Sequence, residues 1–155
     1  MRTIEDLLTE SPLLGDLRAD QLSLIAGCAK NVRFEAGEAI LREGTPADTF
    51  YLLRSGSVLI DVAVPGKEAL TIETIHAGET LGWSWLFEPY RVQFDGHARE
   101  PVAAIAFDAL CLRGKCDANH ELGYELMRRF AGVMLHSLQA ARFQLLDVYG
   151  HAGTR

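Results

Sequence analysis

Between His76 and Ala98 the chain gathers Gly78, Gly82, Trp83, Trp85, Pro89 and Arg91, with strand-like sequence on both sides. A glycine-led helical turn in a β context presents free backbone N–H groups, which suits an anion. Arg91 would add a guanidinium, and His97 could join it as a second cationic lining group. Trp83 and Trp85 offer a flat indole surface, either to a planar ligand or to the core. Alternation puts them on one side of an extended chain but about 160° apart on a helix, so one at most faces a pocket in a helical turn. Glu79 stands three residues before Gly82 and belongs to the turn leading into this stretch.

Composition excludes several classes. The chain has 155 residues, and its formal charge is 15 − 21 = −6. The longest basic run is Arg128-Arg129, so the surface repels a phosphate backbone and direct nucleic-acid binding is not expected. Apolar runs fall short of a bilayer span, and Met1 to Leu8 lacks a signal peptide's apolar core, which predicts a cytoplasmic protein without membrane contact. Three cysteines, Cys28, Cys111 and Cys116, fit reduced thiols in that compartment. Cys111 and Cys116 enclose four residues, too wide for a zinc knuckle; a redox pair or semi-buried structural residues remain as readings.

Behind the central stretch lies a simple order of elements. Residues 3–30 read as helix, broken by Pro12 and Gly15, with Asp20 as a candidate N-cap for the second piece. From Val32 the apolar period becomes two. Short strands are expected at Val32/Phe34, Ala39/Leu41, 49–54, 58–64 and 70–75, with Ser55-Gly56 as a two-residue hairpin signal. Residues 98–107 return to strand, where Pro101 argues for an edge or a bulge. Regular spacing of short strands predicts a mainly β fold with flanking helices, an antiparallel jelly-roll barrel over 32–107. The single domain 1–155 then divides into N-terminal helices (1–31), barrel, and C-terminal helices (108–149).

The final helix, 121–149, carries two apolar stripes. Leu122, Leu126, Phe130 and Val133 form one. Met127, Ala131, Met134, Leu138, Ala141, Leu145 and Val148 form a heptad seam over three repeats. Two stripes call for two partners: the barrel, and a second copy of the helix in a homodimer. Enzyme chemistry is not expected. Metal enzymes on such sheets need His-x-His with further ligands, and His76, His97, His120, His136 and His151 lack that spacing. No serine elbow, Walker loop or paired-carboxylate motif occurs either.

The order of these motifs resembles the cyclic-nucleotide-binding domain family, the sensor module of the catabolite activator protein and of cyclic-nucleotide-dependent kinases and channels. Residues 32–44 resemble its first β turn, 50–58 its second hairpin, 76–82 the approach to its phosphate cassette, Asp108 and Leu110 the end of its barrel, and 120–148 its hinge-and-dimer helix. The resemblance implies a regulatory, signalling protein with a small-molecule effector and no required cofactor. It implies a ligand site at Leu81, Gly82, Trp83, Ser84, Arg91, Val92 and Gln93. Gly82 matches the cassette glycine. Trp83 stands where the family has a glutamate for the ribose, and an indole is a donor only. The arginine position falls near Arg91 to Gln93, followed by Val92-Gln93 in place of Ser/Thr-Ala. Cyclic AMP or cyclic GMP is therefore expected to bind weakly. The family's transcription factors follow this helix with a helix-turn-helix domain; here the chain ends at Arg155, which predicts a stand-alone sensor. The alternatives are a scaffold with an empty pocket acting through protein contacts, or a haem- or redox-linked sensor using His97 or Cys111/Cys116.

Overall fold

The computed structural model describes the backbone of residues 2–153 and the side chains of 2–147. Helix α1 (Ile4–Thr9) opens on Thr3, whose hydroxyl accepts from Asp6 N while Asp6 accepts from Thr3 N. This reciprocal cap satisfies two donors that a helix start leaves open. Ser11 Oγ then accepts from both Leu13 N and Leu14 N at 3.2 Å, and folds the chain back at Pro12. Helix α2 (Ala19–Ala26) follows. Its N-cap is Arg18, not Asp20: Gln21 Oε1 accepts from Arg18 N, and Asp20 instead pairs with the Arg18 guanidinium.

Eight antiparallel strands form two four-stranded sheets. The first has the order β1 (Ala29–Phe34), β8 (Val102–Asp108), β3 (Thr49–Ser55), β6 (Thr80–Leu81). The second has the order β2 (Ala39–Leu41), β7 (Asp95–Ala98), β4 (Ser57–Val62), β5 (Leu70–His76). This is the expected mainly β jelly roll with flanking helices, with its two sheets left open rather than closed into a barrel. Strand β8 is buried from Val102 to Phe107. It runs between β1 and β3 and is covered on both faces, so its sequence Val-Ala-Ala-Ile-Ala-Phe shows no polar alternation.

Two local expectations change. Ser55-Gly56 does not close a hairpin, because β3 and β4 belong to different sheets. Gly56 has φ 85°, and a Cβ there would lie 2.4 Å from Pro101 O, so a glycine carries the chain across between sheets. Residues 98–107 are not one strand: β7 ends at Ala98, and β8 begins in the other sheet after Pro101. The proline thus stands outside a central strand rather than within an edge.

Asp108 caps α3 (Ala109–Ala118) by accepting from Cys111 N at 3.1 Å. Asn119 Oδ1 accepts from Leu122 N at the start of α4 (His120–Gly153). Leu122, Leu126 and Phe130 are fully buried, whereas Met127, Leu138 and Leu145 are 41%, 51% and 56% exposed. Ala131 and Ala141 are exposed and Met134 is half-buried. Val148 lies outside the described side chains. No helix among the described residues is long and apolar enough to cross a membrane.

The cysteine expectation is corrected. Cys28, just before β1, and Cys111, on α3, are joined by a disulfide across 83 residues of sequence. The remaining thiol, Cys116, is half-buried, and burial followed by the Asp117 charge pushes it up to about 11. It is accordingly a protonated, inert thiol at neutral pH rather than half of a redox pair. A cross-link closing so long a loop restricts the unfolded chain, an effect of about 4.5 kcal/mol in the chain-entropy view. Denaturant titration with and without reductant should give a lower midpoint in the reduced protein, with the Cys28→Ser variant matching it and insensitive to reductant. Equal midpoints would remove the bridge from the stability argument.

Candidate functional site

Beyond β6 the backbone turns sharply at Gly82, with φ 96°, a region that β-carbon sterics close to most residues. A single 3-10 turn, Ser84–Leu86, follows, with Leu86 N donating to Trp83 O and Phe87 N to Ser84 O. After a cis Glu88–Pro89 bond and Tyr90, the chain is stitched to the 44–47 loop. Ala47 N donates to Tyr90 O at 2.8 Å, Val92 N to Thr45 O at 2.9 Å and Gly44 N to Val92 O at 2.8 Å.

Two side chains fix this segment to the body. Trp85, 1% exposed, stacks on Phe50 with ring centroids 4.4 Å apart and meets Phe130 of α4 edge-on at 5.3 Å. Phe50 stacks in turn on Phe107 at 4.6 Å. From α3, Arg113 donates to Trp85 O at 2.7 Å and lays its guanidinium 4.1 Å from the centre of the Tyr90 ring. A guanidinium over a ring adds cation–π attraction to the hydrogen bond.

The segment borders two cavities of very different size. A space of about 10 Å³ lies under it, among Leu41, Phe50, Leu81, Ser84, Trp85 and Val92; this is at the lower limit for one water molecule. On its other side a wide groove runs between the second sheet and α4. One part, about 400 Å³, is bordered by Pro12, Leu13, Glu79, Thr80 and Arg129; the next, about 600 Å³, by Ile72, Met134, Leu138 and Gln144. Ile60, Glu73, Trp83, Phe94 and Ser137 line both parts, so the groove is continuous past them. Trp83 meets Phe94 edge-on at 5.9 Å. Ser137 Oγ approaches Glu73 at 3.4 Å. Burial first, then the Glu79 charge, hold Glu73 above the ordinary carboxylate value, with Ser137 and His136 pulling the other way.

The residues expected from sequence therefore divide. Leu81, Gly82 and Trp83 line the groove. Ser84 and Val92 line the small cavity. Arg91 is exposed and donates to Gly44 O at 3.3 Å, and Gln93 Nε2 donates to Arg91 O. Glu79 belongs to the turn, accepting from His76 N at 2.8 Å. His97 faces Asp61 of the neighbouring strand at 3.2 Å. Sequence reasoning missed Glu73, Thr80, Phe94 and the α4 positions Arg129, Val133, His136 and Ser137. Only the end of the Leu122–Val133 stripe pointed to them, since it marks where α4 stops lying on the core. Among the described residues, no cluster of His, Cys, Asp or Glu could hold a metal.

Residues 31–119, more than half of the chain, match the cyclic nucleotide-binding domain family. The protein is a member of it. The chain is 46% identical over 55 residues to a cAMP-dependent protein kinase regulatory subunit of Emericella nidulans, covering 36% of this chain and 13% of that protein. It is 34% identical over 102 residues to Glutaminase 1 of Bradyrhizobium diazoefficiens, covering 66% of this chain and 16% of that one. It thus spans less than a fifth of the length of these curated relatives. A solved structure assigned to the cyclic nucleotide-binding proteins of Geobacter metallireducens shares 28% identity and a TM-score of 0.79, covering 89% of this chain and 99% of that one.

In this cyclic nucleotide-binding domain, α3 holds the 82–93 segment through Arg113. Removing that side chain leaves Trp85 O without its partner, a loss of about 1–3 kcal/mol. Arg113→Ala should therefore lower stability by that amount and speed amide exchange at 83–90 more than in β8. Uniform acceleration across both regions would show that Arg113 supports the fold and not this segment in particular.

Proposed function

We propose that this domain is a non-enzymatic regulatory module that binds a small effector in the groove between the 81–93 segment and α4. The carrying observation is the groove's two walls: Trp83 and Phe94 on one side, Val133 and Ser137 of α4 on the other. An effector filling that space touches both, and so favours whichever helix position closes on it. In this reading Leu81, Gly82 and Trp83 meet the effector, Ser84 and Val92 back the turn, and Arg91 and Gln93 form its rim.

The phosphate cassette has departed from the nucleotide-binding pattern. Trp83 cannot accept a ribose hydroxyl, and the Arg91 guanidinium is turned to Gly44 O. Cyclic AMP and cyclic GMP accordingly bind weakly. The seam Met127, Ala131, Met134, Leu138, Ala141 and Leu145 pairs with a second copy. The domain works without direct contact to nucleic acid or membrane. A second reading, a scaffold acting through protein contacts alone, is favoured by the packing of Trp85 over a space too small for a ligand.

Calorimetric titration with cyclic AMP and cyclic GMP should give millimolar binding or none, with any heat reduced in Trp83→Ala and unchanged in Arg91→Ala. Micromolar binding lost in Arg91→Ala would restore a conventional cassette. Sedimentation should show a dimer that Leu138→Glu converts to a folded monomer whose melting temperature no longer depends on protein concentration, because Leu138 is 51% exposed in the single chain. A wild-type monomer would remove self-association from the proposal.

A further inference from the structure

We propose that the Cys28–Cys111 bridge is a redox switch that sets how firmly α3 holds the 82–93 segment. This holds whether or not an effector fills the groove, because it concerns the segment itself. Helix α3 stands between two bodies. On one side is the corner where α2 meets β1, and there Cys111 is bonded to Cys28 while Lys115 Nζ donates to Leu24 O at 2.6 Å. Cys111 and Lys115 are four residues apart and so share a face of the helix. Arg113 lies midway between them in sequence, about 200° around the helix axis from Cys111. It holds the segment from that opposite face, through Trp85 O at 2.7 Å and the Tyr90 ring. Whatever draws one face of α3 to the corner therefore sets where the other face places its guanidinium.

The bridge can open and close in the folded chain. Cys28 is 7% exposed and belongs to the core, whereas Cys111 is only half-buried. A dithiol reductant attacks at Cys111 Sγ: its sulfur bonds to Cys111, the S–S bond breaks, and Cys28 leaves as a thiolate that takes up a proton. The reductant's second thiolate then attacks its own sulfur in that mixed disulfide, releasing Cys111, which is protonated in turn. The dithiol is oxidised to a disulfide, and the bridge gains two electrons and two protons. Backbone hydrogen bonds keep the freed thiols close: Asp108 N donates to Cys28 O at 2.8 Å and Ala109 N to Asp48 O at 2.9 Å. Oxidised glutathione, as a disulfide oxidant, closes the bridge again by the reverse exchange. Two thiols in van der Waals contact stand further apart than two bonded sulfurs. With Cys28 enclosed by the core, the added room comes from α3, and Arg113 moves with it.

The test is amide exchange at 83–90 in the full chain, first oxidised, then reduced with dithiothreitol, then reoxidised with oxidised glutathione. Labelling times are kept too short for β8 to exchange, and alkylation with iodoacetamide counts the free thiols in each form. Reduction should speed exchange at 83–90 roughly tenfold, the weight of one hydrogen bond to a charged group, and reoxidation should reverse it. Cys28→Ser and Cys111→Ser should both stand at the reduced rate and respond to neither reagent. In Arg113→Ala the bridge should still open, but exchange at 83–90 should no longer depend on it; a bridge that merely adds stability would leave that dependence in place. Exchange at 83–90 unchanged by reduction, a redox response that survives Arg113→Ala, or a bridge that yields to dithiothreitol only when β8 also exchanges overturns the inference.

Discussion

Phe50 is the side chain on which the arrangement depends. It lies between Trp85 and Phe107 at stacking distance, and Phe130 meets its edge at 5.3 Å. Those four rings come from β3, the 82–93 segment, β8 and α4. Each aromatic pair contributes about 0.5–1.5 kcal/mol beyond its buried area, and the geometry constrains orientation as well as distance. Sheet, binding segment and long helix therefore share one packed joint. A displacement of any of them is felt by the other two, because cores at crystal-like density do not deform smoothly.

This joint explains why two tryptophans two residues apart do different work. The turn at Gly82 and the 3-10 geometry rotate Trp85 into the ring cluster and leave Trp83 over the groove. Trp85 is fixed by two aromatic partners, Phe50 and Phe130, and by Arg113 on its carbonyl, whereas Trp83 meets the single ring of Phe94. One indole anchors and the other faces a space wide enough for a molecule. The same rotation turns the backbone so that Val92 is buried and Arg91 lies outside.

Much of the architecture was legible because it rests on local periodicity. Alternation from Val32 onward marked the strands, Pro12 and Gly15 marked the breaks in the N-terminal helices, and the two stripes of 121–149 separated a buried face from an exposed one. What escaped depends on pairing between distant segments. Ser55-Gly56 looks like a hairpin because local turn chemistry does not record which sheet the next strand joins. The Cys28–Cys111 bridge escaped because cysteine spacing carries no information about which loops fold together. At the site, the glycine-led turn and Trp83 were legible as a cluster in sequence. Glu73, Thr80 and Arg129 were not, since each is unremarkable in its own element and gains meaning only where β5, β6 and α4 converge.

That convergence bears on how such a module could transmit a signal. The buried stripe of α4 ends at Phe130, and from Val133 to Ser137 the helix stands over the groove. Beyond that the exposed seam continues through Leu138 and Leu145. The residues that border the groove and those that offer an apolar face thus share one helix, with Met134 and Leu138 belonging to both. Its near end is held by the ring cluster, so a ligand pressing on Val133 and Ser137 acts on the rod beyond its fixed point. Under the proposed function, small changes there would be carried outward along the helix as rotation or tilt of the seam. A fixed joint, a contact with the groove and an exposed surface are the physical requirements for coupling occupancy to association, and under the proposed function this one helix would carry all three.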